Sequence, residues 1–351
     1  MFYKRFLRIL ASIMILVLCT TAANVLSVHN TEILSVNTDS FYNEPFDSLD
    51  YVVIGSSATL GDILPNVIWN ESKLTGNNIS SNGADSRIYK SMLKEVVCTQ
   101  PNALIIVDID GFTQDFVEKR DPTNIWIDSM NHNENWKETI KELDKENWEE
   151  HYFPIIRYHE TLMSPGMVYY AIKGVIDYDI KKITSCTKGA NTLGNSVRVP
   201  KNEIENFVCL ENFISRPIEL DDGQENVLYE FLDICQDLKI KNVLFIDCPK
   251  GYGSQDKYEQ IVQKENKVKY CSDIIISHGF DVLCYSELYN PLAICKDDFS
   301  DGYHLNEQGA IKFSKFLANY LLENYKFTNK SQKIIDSWEN LTAIAYEKYN
   351  M

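Results

Sequence analysis

The sequence predicts a three-layer α/β sandwich around a central parallel sheet, and two observations carry this prediction. Short apolar runs rich in β-branched residues recur along the chain, and helical patterns such as "DSRIYKSMLKEVV" and "NVLYEFLDICQDLKI" separate them. Apolar runs of this length suit strands buried on both faces of a parallel sheet. Strand–helix alternation implies right-handed crossovers with helices on the faces of the sheet. The predicted strands are "DYVVIGSS" (50–57), "ALIIVDID" (103–110), "NVLFIDC" (242–248) and "FDVLCY" (280–285).

Two further helices are predicted at the end of the chain. The first, "EQGAIKFSKFLANYLLENY", follows the last strand, and Asn306 is placed to cap it. The second, "SQKIIDSWENLTAIAYEKY", has an apolar side that we expect to dock on the body. The apolar stripes of the two helices are Ala310, Phe313, Leu317 and Tyr320, and Ile334, Trp338, Leu341 and Ala345.

One interval interrupts the alternation. Residues 112–225 carry many charges and no clean strand, which indicates an insertion or subdomain, and "NENWKETIKELDKENWEEHYF" within it predicts a charged surface helix. The domain assignment that follows is a membrane anchor or signal at 1–28, a juxtamembrane linker at 29–49, an α/β domain at 50–326 with an insertion at about 112–225, and a C-terminal helix at 327–351.

The first thirty residues differ from the rest. Lys4, Arg5 and Arg8 precede an uncharged run from Ile9 to Val28, which is long enough to cross a bilayer as a helix. The basic flank favours a cytoplasmic N-terminus and an extracellular body. A cleaved signal peptide, with "TAA" at 21–23 as its cleavage site, is the alternative, and it predicts a secreted protein.

Composition limits the partners and cofactors. Acidic residues outnumber basic ones 50 to 34, and the formal charge of −16 repels polyphosphate, which argues against nucleic acid as a partner. The nine cysteines form no C-x-x-C pair and the histidines show no ligand spacing, so we predict no metal site and no cofactor. Cysteines inside apolar runs are expected to be free and buried.

Candidate catalytic groups follow two of the predicted strands. Gly55 permits a sharp exit from the first strand, and Ser56 and Ser57 then lie where a helix begins, beside free backbone N–H groups that can hold an oxyanion. A serine nucleophile needs a base, typically a histidine held by a carboxylate. Asp301 and His304 fill these roles if their loop, "DFSDGYHLNEQGA" (298–310), lies beside the end of the first strand.

A Gly-x-Ser block after the first strand and an Asp-x-x-His block before a late helix resemble the SGNH/GDSL hydrolase superfamily. The segment "GSSAT" is similar to the motif of its membrane-anchored branch, which includes lipoteichoic-acid D-alanylation and polysaccharide O-acetylation proteins. The resemblance implies a flavodoxin-like hydrolase fold, Ser57 as nucleophile with His304 as base and Asp301 as its partner. It also implies an oxyanion hole of the Ser57 backbone and Gly83, from "NNISSNGADS" (77–86).

The sequence departs from the superfamily in the third block, where Gly-x-Asn-Asp is usual and an asparagine donates to the oxyanion. Here the segment reads "VDIDGF", and Asp108 or Asp110 would repel an oxyanion unless it is protonated or turned away. Either two backbone donors suffice, or the insertion supplies a third. Arg157 and His159, in "FPIIRYHE", are candidate substrate-binding residues.

Two functions are consistent with these residues. The first is a serine esterase or O-acyltransferase that acts on an acylated cell-envelope polysaccharide or teichoic-acid-like polymer through an acyl-serine intermediate. The second is a non-catalytic accessory or binding protein that serves a membrane O-acyltransferase, and the unusual third block is its main support.

Overall fold

The computed structural model of the chain describes residues 2–28, 35–116, 120–159, 216–240, 242–252, 255–285, 294–301 and 303–349. It also describes 163, 165–166, 168–169, 172, 187–190 and 208–209. The described residues group into a smaller unit (within 1–36 and 124–184) and a larger unit (within 37–123 and 185–351).

The larger unit is built on a parallel sheet, as the sequence predicts, and the sheet has five strands where four were predicted. Their order in the sheet is β2-β1-β3-β5-β7, so the connections leave β1 in opposite directions and the strand order reverses beside it. Two short antiparallel strands, β4 and β6, form a separate ladder. The strands are β1 (Tyr51–Ile54), β2 (Gly76–Asn78), β3 (Leu104–Asp108), β4 (Val208–Cys209), β5 (Val243–Asp247), β6 (Gly251–Tyr252) and β7 (Asp281–Cys284).

Thirteen helices of the described residues receive labels in chain order. In the smaller unit lie α1 (Phe2–Val28), most of α6 (Arg120–Ser129), α7 (Glu134–Leu143), α8 (Trp148–Tyr152) and α9 (Ile155–Tyr158). The others are α2 (Ser35–Tyr42), α3 (Ser57–Asp62), α4 (Pro65–Ser72), α5 (Tyr89–Thr99), α10 (Asp222–Asp237), α11 (Gln255–Ser277), α12 (Glu307–Asn324) and α13 (Gln332–Tyr349).

Alternate residues of each strand face opposite layers of helices. On β5, Leu244 and Ile246 join the core that includes α4 and α12, whereas Phe245 packs on Phe231 of α10 with ring centroids 6.0 Å apart. β1, β3 and β5 are fully buried, because helices cover both faces of the sheet. Burial of both faces explains why these strands read as continuous apolar runs in the sequence.

The two predicted C-terminal helices pack as their stripes indicate. On α12, Phe313 and Leu317 are fully buried against the sheet core. On α13, Trp338 is 2% exposed and meets Trp69 of α4 at 5.4 Å between ring centroids. These contacts confirm the apolar faces that the sequence predicts.

Two predictions about elements are incomplete. The sequence analysis missed β2, since "GNN" carries no apolar run; Asn77 and Asn78 are nevertheless fully buried, and their amides bond to Ser40 and to backbone carbonyls. The predicted charged surface helix is two helices, α7 and α8, which are separated after Asp144. It is also partly buried, because Trp136 is 2% exposed and donates to the carbonyl of Ile127.

The cysteines in apolar runs of the described residues are buried, as the sequence predicts. Cys235, Cys248 and Cys271 are free and buried in the larger unit, and Cys284 is buried beside Ser272. Burial raises the pKa of the Cys235 thiol to about 12, so these side chains behave as small apolar groups. Cys186 lies outside the described residues.

Candidate active site

Ser56 and Ser57 lie at the sharp turn between β1 and α3. Ser56 caps α3 with extended backbone, and Ser57 is the first helical residue. A Cβ on Gly55 would lie 2.1 Å from Oγ1 of Thr59 and 2.7 Å from Cβ of Asp108, so a larger residue does not fit there without displacement. The turn therefore delivers Ser57 to the carboxyl edge of the sheet at the strand where the order reverses, which is the usual ligand position in open parallel sheets.

The loop that carries Asp301 and His304 is closed by its own hydrogen bonds. Ser300 donates its backbone N–H to the carbonyl of His304 at 2.9 Å, and Oδ1 of Asp301 accepts the N–H groups of Tyr303 and His304, both at 2.8 Å. Asn306 caps α12 directly behind this turn, accepting an N–H of the first helical turn at 3.1 Å. The carboxylate of Asp301 thus organises the turn as well as facing the imidazole.

The structure brings Ser57, His304 and Asp301 together. Nε2 of His304 lies 2.9 Å from Oγ of Ser57, and Nδ1 lies 2.9 and 2.8 Å from the two carboxylate oxygens of Asp301. The hydroxyl and the imidazole come from positions 247 residues apart in the chain. Each distance is within hydrogen-bonding range for a nucleophile, its base and the group that orients the base.

Electrostatics strengthen His304 as a base and keep its partner Asp301 ionised. Burial disfavours the imidazolium, but the hydrogen bond and the charge of Asp301 outweigh it and raise the pKa of His304 above its ordinary value. Burial also disfavours the Asp301 carboxylate, but hydrogen bonds from His304 and the backbone lower its pKa. Asp301 is therefore ionised near neutral pH and holds the ring proton on Nδ1, which leaves Nε2 free to accept from Ser57.

Asp62 joins the two halves of this site, and the sequence analysis missed it. Its Oδ1 accepts the backbone N–H of Leu305 at 3.0 Å, so the last residue of α3 binds the residue that follows His304. Ser314 of α12 adds a second link, accepting the N–H of Leu64 at 2.9 Å. Burial raises the pKa of Asp62 well above its ordinary value. A signal existed, because Asp62 is the single charged residue between positions 51 and 70.

Asp108, in the atypical third block, faces the serine turn. Its Oδ2 accepts the backbone N–H of Ser56 at 3.1 Å and the Ser56 hydroxyl at 2.6 Å, and its Oδ1 accepts the N–H of Asp110 at 3.0 Å. Burial and the charge of Asp110 raise the pKa of Asp108 to about 6. Asp108 therefore fixes the residue before Ser57, and its acceptor atoms are engaged by donors from two segments.

Asp110 belongs to a buried ionic network next to the site. Its carboxylate lies 2.5 Å from Nζ of Lys264 and 3.2 Å from Nζ of Lys250. Lys250 also bonds to Asp247 and, at 2.8 Å, to Glu265. Burial opposes ionisation of Asp110, but the two lysines prevail and lower its pKa to about 2. Sequence reasoning did not single out either lysine.

A cleft of about 510 Å³ opens over Ser57 and His304. Tyr303 contributes to its wall, and Nζ of Lys264 lies 5.1 Å from the centroid of the Tyr303 ring. One face of α11 forms another part of the wall, and its lining residues are all polar. These residues recur at helical spacing: Gln260, Gln263, Lys264 and Lys267.

Gly83 lies on a turn beside the serine turn. The N–H of Ala84 bonds to the carbonyl of Ser81 at 3.1 Å, and Ser81 in turn donates to the carbonyl of Gly55 at 3.0 Å. Gly83 has a φ of +71°, a left-handed conformation that favours glycine. The turn is thus tied to the residue before the two serines, and donation from Gly83 to an oxyanion stays a prediction.

Arg157 and His159 lie in the smaller unit. The Arg157 guanidinium is 2.6 Å from Asp128 and 3.1 Å from Glu150, so carboxylates of its own unit neutralise it. His159 is exposed, and its Nδ1 lies 2.9 Å from the carbonyl of Ile156. Substrate binding by these two residues stays a prediction.

Comparisons with known proteins give little beyond this geometry. No protein-family model matches the chain, and no curated protein matches it. Among solved structures, the chain is similar to a lipase/acylhydrolase from Enterococcus faecalis, with a TM-score of 0.34 and 12% identity over 80% of this chain and 100% of that one. A likeness of this size carries no argument about activity, which therefore depends on the chain's own residues.

Proposed function

We propose that this protein is a serine esterase or O-acyltransferase of the SGNH/GDSL type. The observation that carries the proposal is the 2.9 Å contact between Oγ of Ser57 and Nε2 of His304, whose Nδ1 is held by Asp301. The Ser57 turn at the carboxyl edge of the sheet and the cleft above it support the same assignment.

The proposed reaction has two halves. Nε2 of His304 takes the Ser57 proton while Oγ attacks an ester carbonyl, and the imidazolium then gives that proton to the departing alcohol. Water or a sugar hydroxyl next attacks the acyl-serine, again deprotonated by His304, and Ser57 leaves as the free hydroxyl. The backbone N–H of Ser57, which has no intrahelical partner as the first residue of α3, and that of Gly83 would hold the oxyanion.

The lining of the cleft favours a polar substrate. Amide and ammonium side chains of α11 line one wall, and such groups bond to hydroxyl and anionic groups better than to an aliphatic chain. A cell-envelope polysaccharide or teichoic-acid-like polymer that carries a small acyl ester has this chemistry. A membrane O-acyltransferase is the corresponding candidate partner if the reaction is acyl transfer.

The N-terminal helix supports a position at the cell membrane. The stretch Tyr3–Asn24 of α1 is long and apolar enough to cross a bilayer, and it is exposed except near its end, where Thr20, Ala23 and Asn24 are partly buried. With its basic residues in the cytoplasm, the α/β domain would lie outside the cell, where an envelope polymer is accessible. Cleavage as a signal peptide would also export the domain, but as a soluble protein.

A non-catalytic accessory role is the second candidate, and Asp108 favours it. The resemblance predicts an amide donor in the third block, whereas the chain carries a carboxylate that accepts hydrogen bonds there. A binding protein would not need a complete oxyanion hole.

Labelling by a fluorophosphonate probe separates these candidates without knowledge of the substrate, because an activated serine displaces fluoride and keeps the phosphonyl group. We expect the full-length protein in detergent to be labelled and Ser57→Ala to abolish labelling. Ser56→Ala is the matched control and should still be labelled, since the Ser56 hydroxyl bonds to Asp108 and is 1% exposed. No labelling of the folded wild-type protein, or equal labelling of Ser57→Ala, would reject the esterase proposal.

A further inference from the structure

Four large apolar side chains lie exposed within nine residues of the smaller unit. They are Trp148, Tyr152, Phe153 and Ile156, with exposed fractions between 44% and 49%. Single exposed apolar residues are ordinary on a protein surface, but a group of this kind marks an interaction site. We refer to these four residues, which lie on α8, on α9 and between them, as the aromatic patch.

The opposite side of the same segment is held by buried polar contacts. His151 is 1% exposed, and its ring lies 2.7 Å from Asp128 and 3.1 Å from Asp144. Arg157, on the next helix α9, bonds to Asp128 at 2.6 Å. Because His151 and Arg157 occupy the inner side, the segment is held with the aromatic patch outward, and the patch cannot turn inward without breaking these contacts.

The aromatic patch adjoins the end of the candidate membrane span. Helix α9 packs against α1, and the N–H of Ile155 donates to Oδ1 of Asn24 at 3.2 Å. Asn24 is the last residue of the span Tyr3–Asn24, whose 22 residues measure about 33 Å at 1.5 Å per residue. The hydrocarbon core is about 30 Å thick, so Asn24 and the neighbouring patch lie at the level of the headgroups.

We propose that the aromatic patch inserts into the headgroup region of the bilayer, an inference that rests on the proposed role of α1 as a membrane span. Trp and Tyr suit this depth, since each combines a large apolar ring with a polar N–H or O–H group that stays hydrated. Charges of both signs surround the patch, because the segment carries Glu146, Glu149 and Glu150, while Lys137, Lys141 and Lys145 line a pocket with Trp148 and Tyr152. On phosphatidylcholine, which carries no net charge, binding therefore depends on apolar burial, and salt should have little effect on it.

The tryptophans of the chain make this contact directly measurable. Of the five, Trp69, Trp126, Trp136 and Trp338 are at most 2% exposed, whereas Trp148 is 46% exposed. The full-length protein is reconstituted into phosphatidylcholine vesicles whose acyl chains carry bromine, either near the headgroup or deep in the bilayer. Bromine quenches a tryptophan only at close range.

We expect the shallow bromines to quench part of the emission and the deep bromines to quench less. Trp148→Phe should reduce this quenching to the level of unbrominated vesicles at both low and high salt, with an unchanged melting temperature as the control for folding. Aqueous iodide should not reach Trp148 in vesicles. Quenching by iodide without quenching by bromine would place the patch in water and overturn the proposal. Protection from both quenchers would indicate a protein partner instead, and quenching that persists in Trp148→Phe would equally reject the assignment.

Discussion

Replacement of Asp108 by asparagine distinguishes two explanations of the third block. If the resemblance to SGNH hydrolases governs this position, Asp108→Asn restores an amide donor to the oxyanion hole and accelerates the reaction. In the structure, however, Asp108 accepts the N–H and hydroxyl of Ser56 and the N–H of Asp110. Asparagine offers one acceptor oxygen and one NH₂ group, so one of the two backbone N–H groups must then face another donor.

The structural contacts set the expected magnitude. A buried backbone donor that loses its acceptor costs about 1–3 kcal/mol, and we take about 2 kcal/mol for Asp108→Asn. For a unit of this size that corresponds to a melting temperature lower by roughly 4–8 °C. Ser57 follows the loosened residue directly, and since misplacement by 1 Å can cost about 10²-fold, we expect labelling to slow by about tenfold or more. A gained oxyanion donor would instead increase the rate by about 10²–10³-fold.

The assay is the rate of fluorophosphonate labelling at pH 8, together with thermal unfolding. At that pH the Asp108 carboxyl, with a pKa of about 6, is ionised in the wild-type protein. Asp273→Asn, the same substitution at a half-exposed ion pair on α11, is the control and should change stability by less than about 0.5 kcal/mol. Faster labelling at an unchanged melting temperature would refute the structural reasoning and support the oxyanion role.

Three further outcomes follow from the site and the anchor. Because neutral His304 is the base and Asp301 raises its pKa, ester turnover should rise with pH through a pKa above that of free imidazole. Asp301→Asn should move this rise to lower pH and reduce turnover less than His304→Ala does. Unchanged pH profiles with both variants folded would mean that the pair only forms a turn. Lys250→Met should destabilise the protein by about 3–5 kcal/mol in denaturant unfolding, because buried carboxylates lose their cation, while Lys137→Met at an exposed pair should have little effect. Protease added to intact protoplasts should remove the α/β domain from a membrane-bound chain, and soluble protein that begins near residue 24 would indicate a cleaved signal.

The sequence predicts those parts of the fold whose burial requires apolar residues. β1, β3 and β5 are buried on both faces, so their apolar runs identify them without any knowledge of their neighbours. The edge strand β2 is different, because Asn77 and Asn78 satisfy their amides with Ser40 and with backbone carbonyls. Such hydrogen bonds depend on which residues are neighbours in three dimensions, and no periodic pattern in the sequence predicts them.

The candidate site divides in the same way. The identities of Ser57, Asp301 and His304 can be predicted from their residue types and from their places after strands, since parallel strands bring their carboxyl ends to one edge. The sequence also indicates that an acid occupies position 108. Its orientation toward Ser56, and not toward an oxyanion, depends on which N–H groups the fold brings within reach.

By itself, then, the sequence determined the buried strands of the sheet, the apolar N-terminal helix and the three residues proposed to do the chemistry, because each is encoded in local residue types. Only the tertiary structure decided the links among them. Asp62 reaches Leu305 and Lys250 reaches Glu265 across a fold that places distant segments side by side. Hydrogen bonds and ion pairs act over a few ångströms of space, whatever the separation along the chain, and that is why these partners could not be read from the order of the residues.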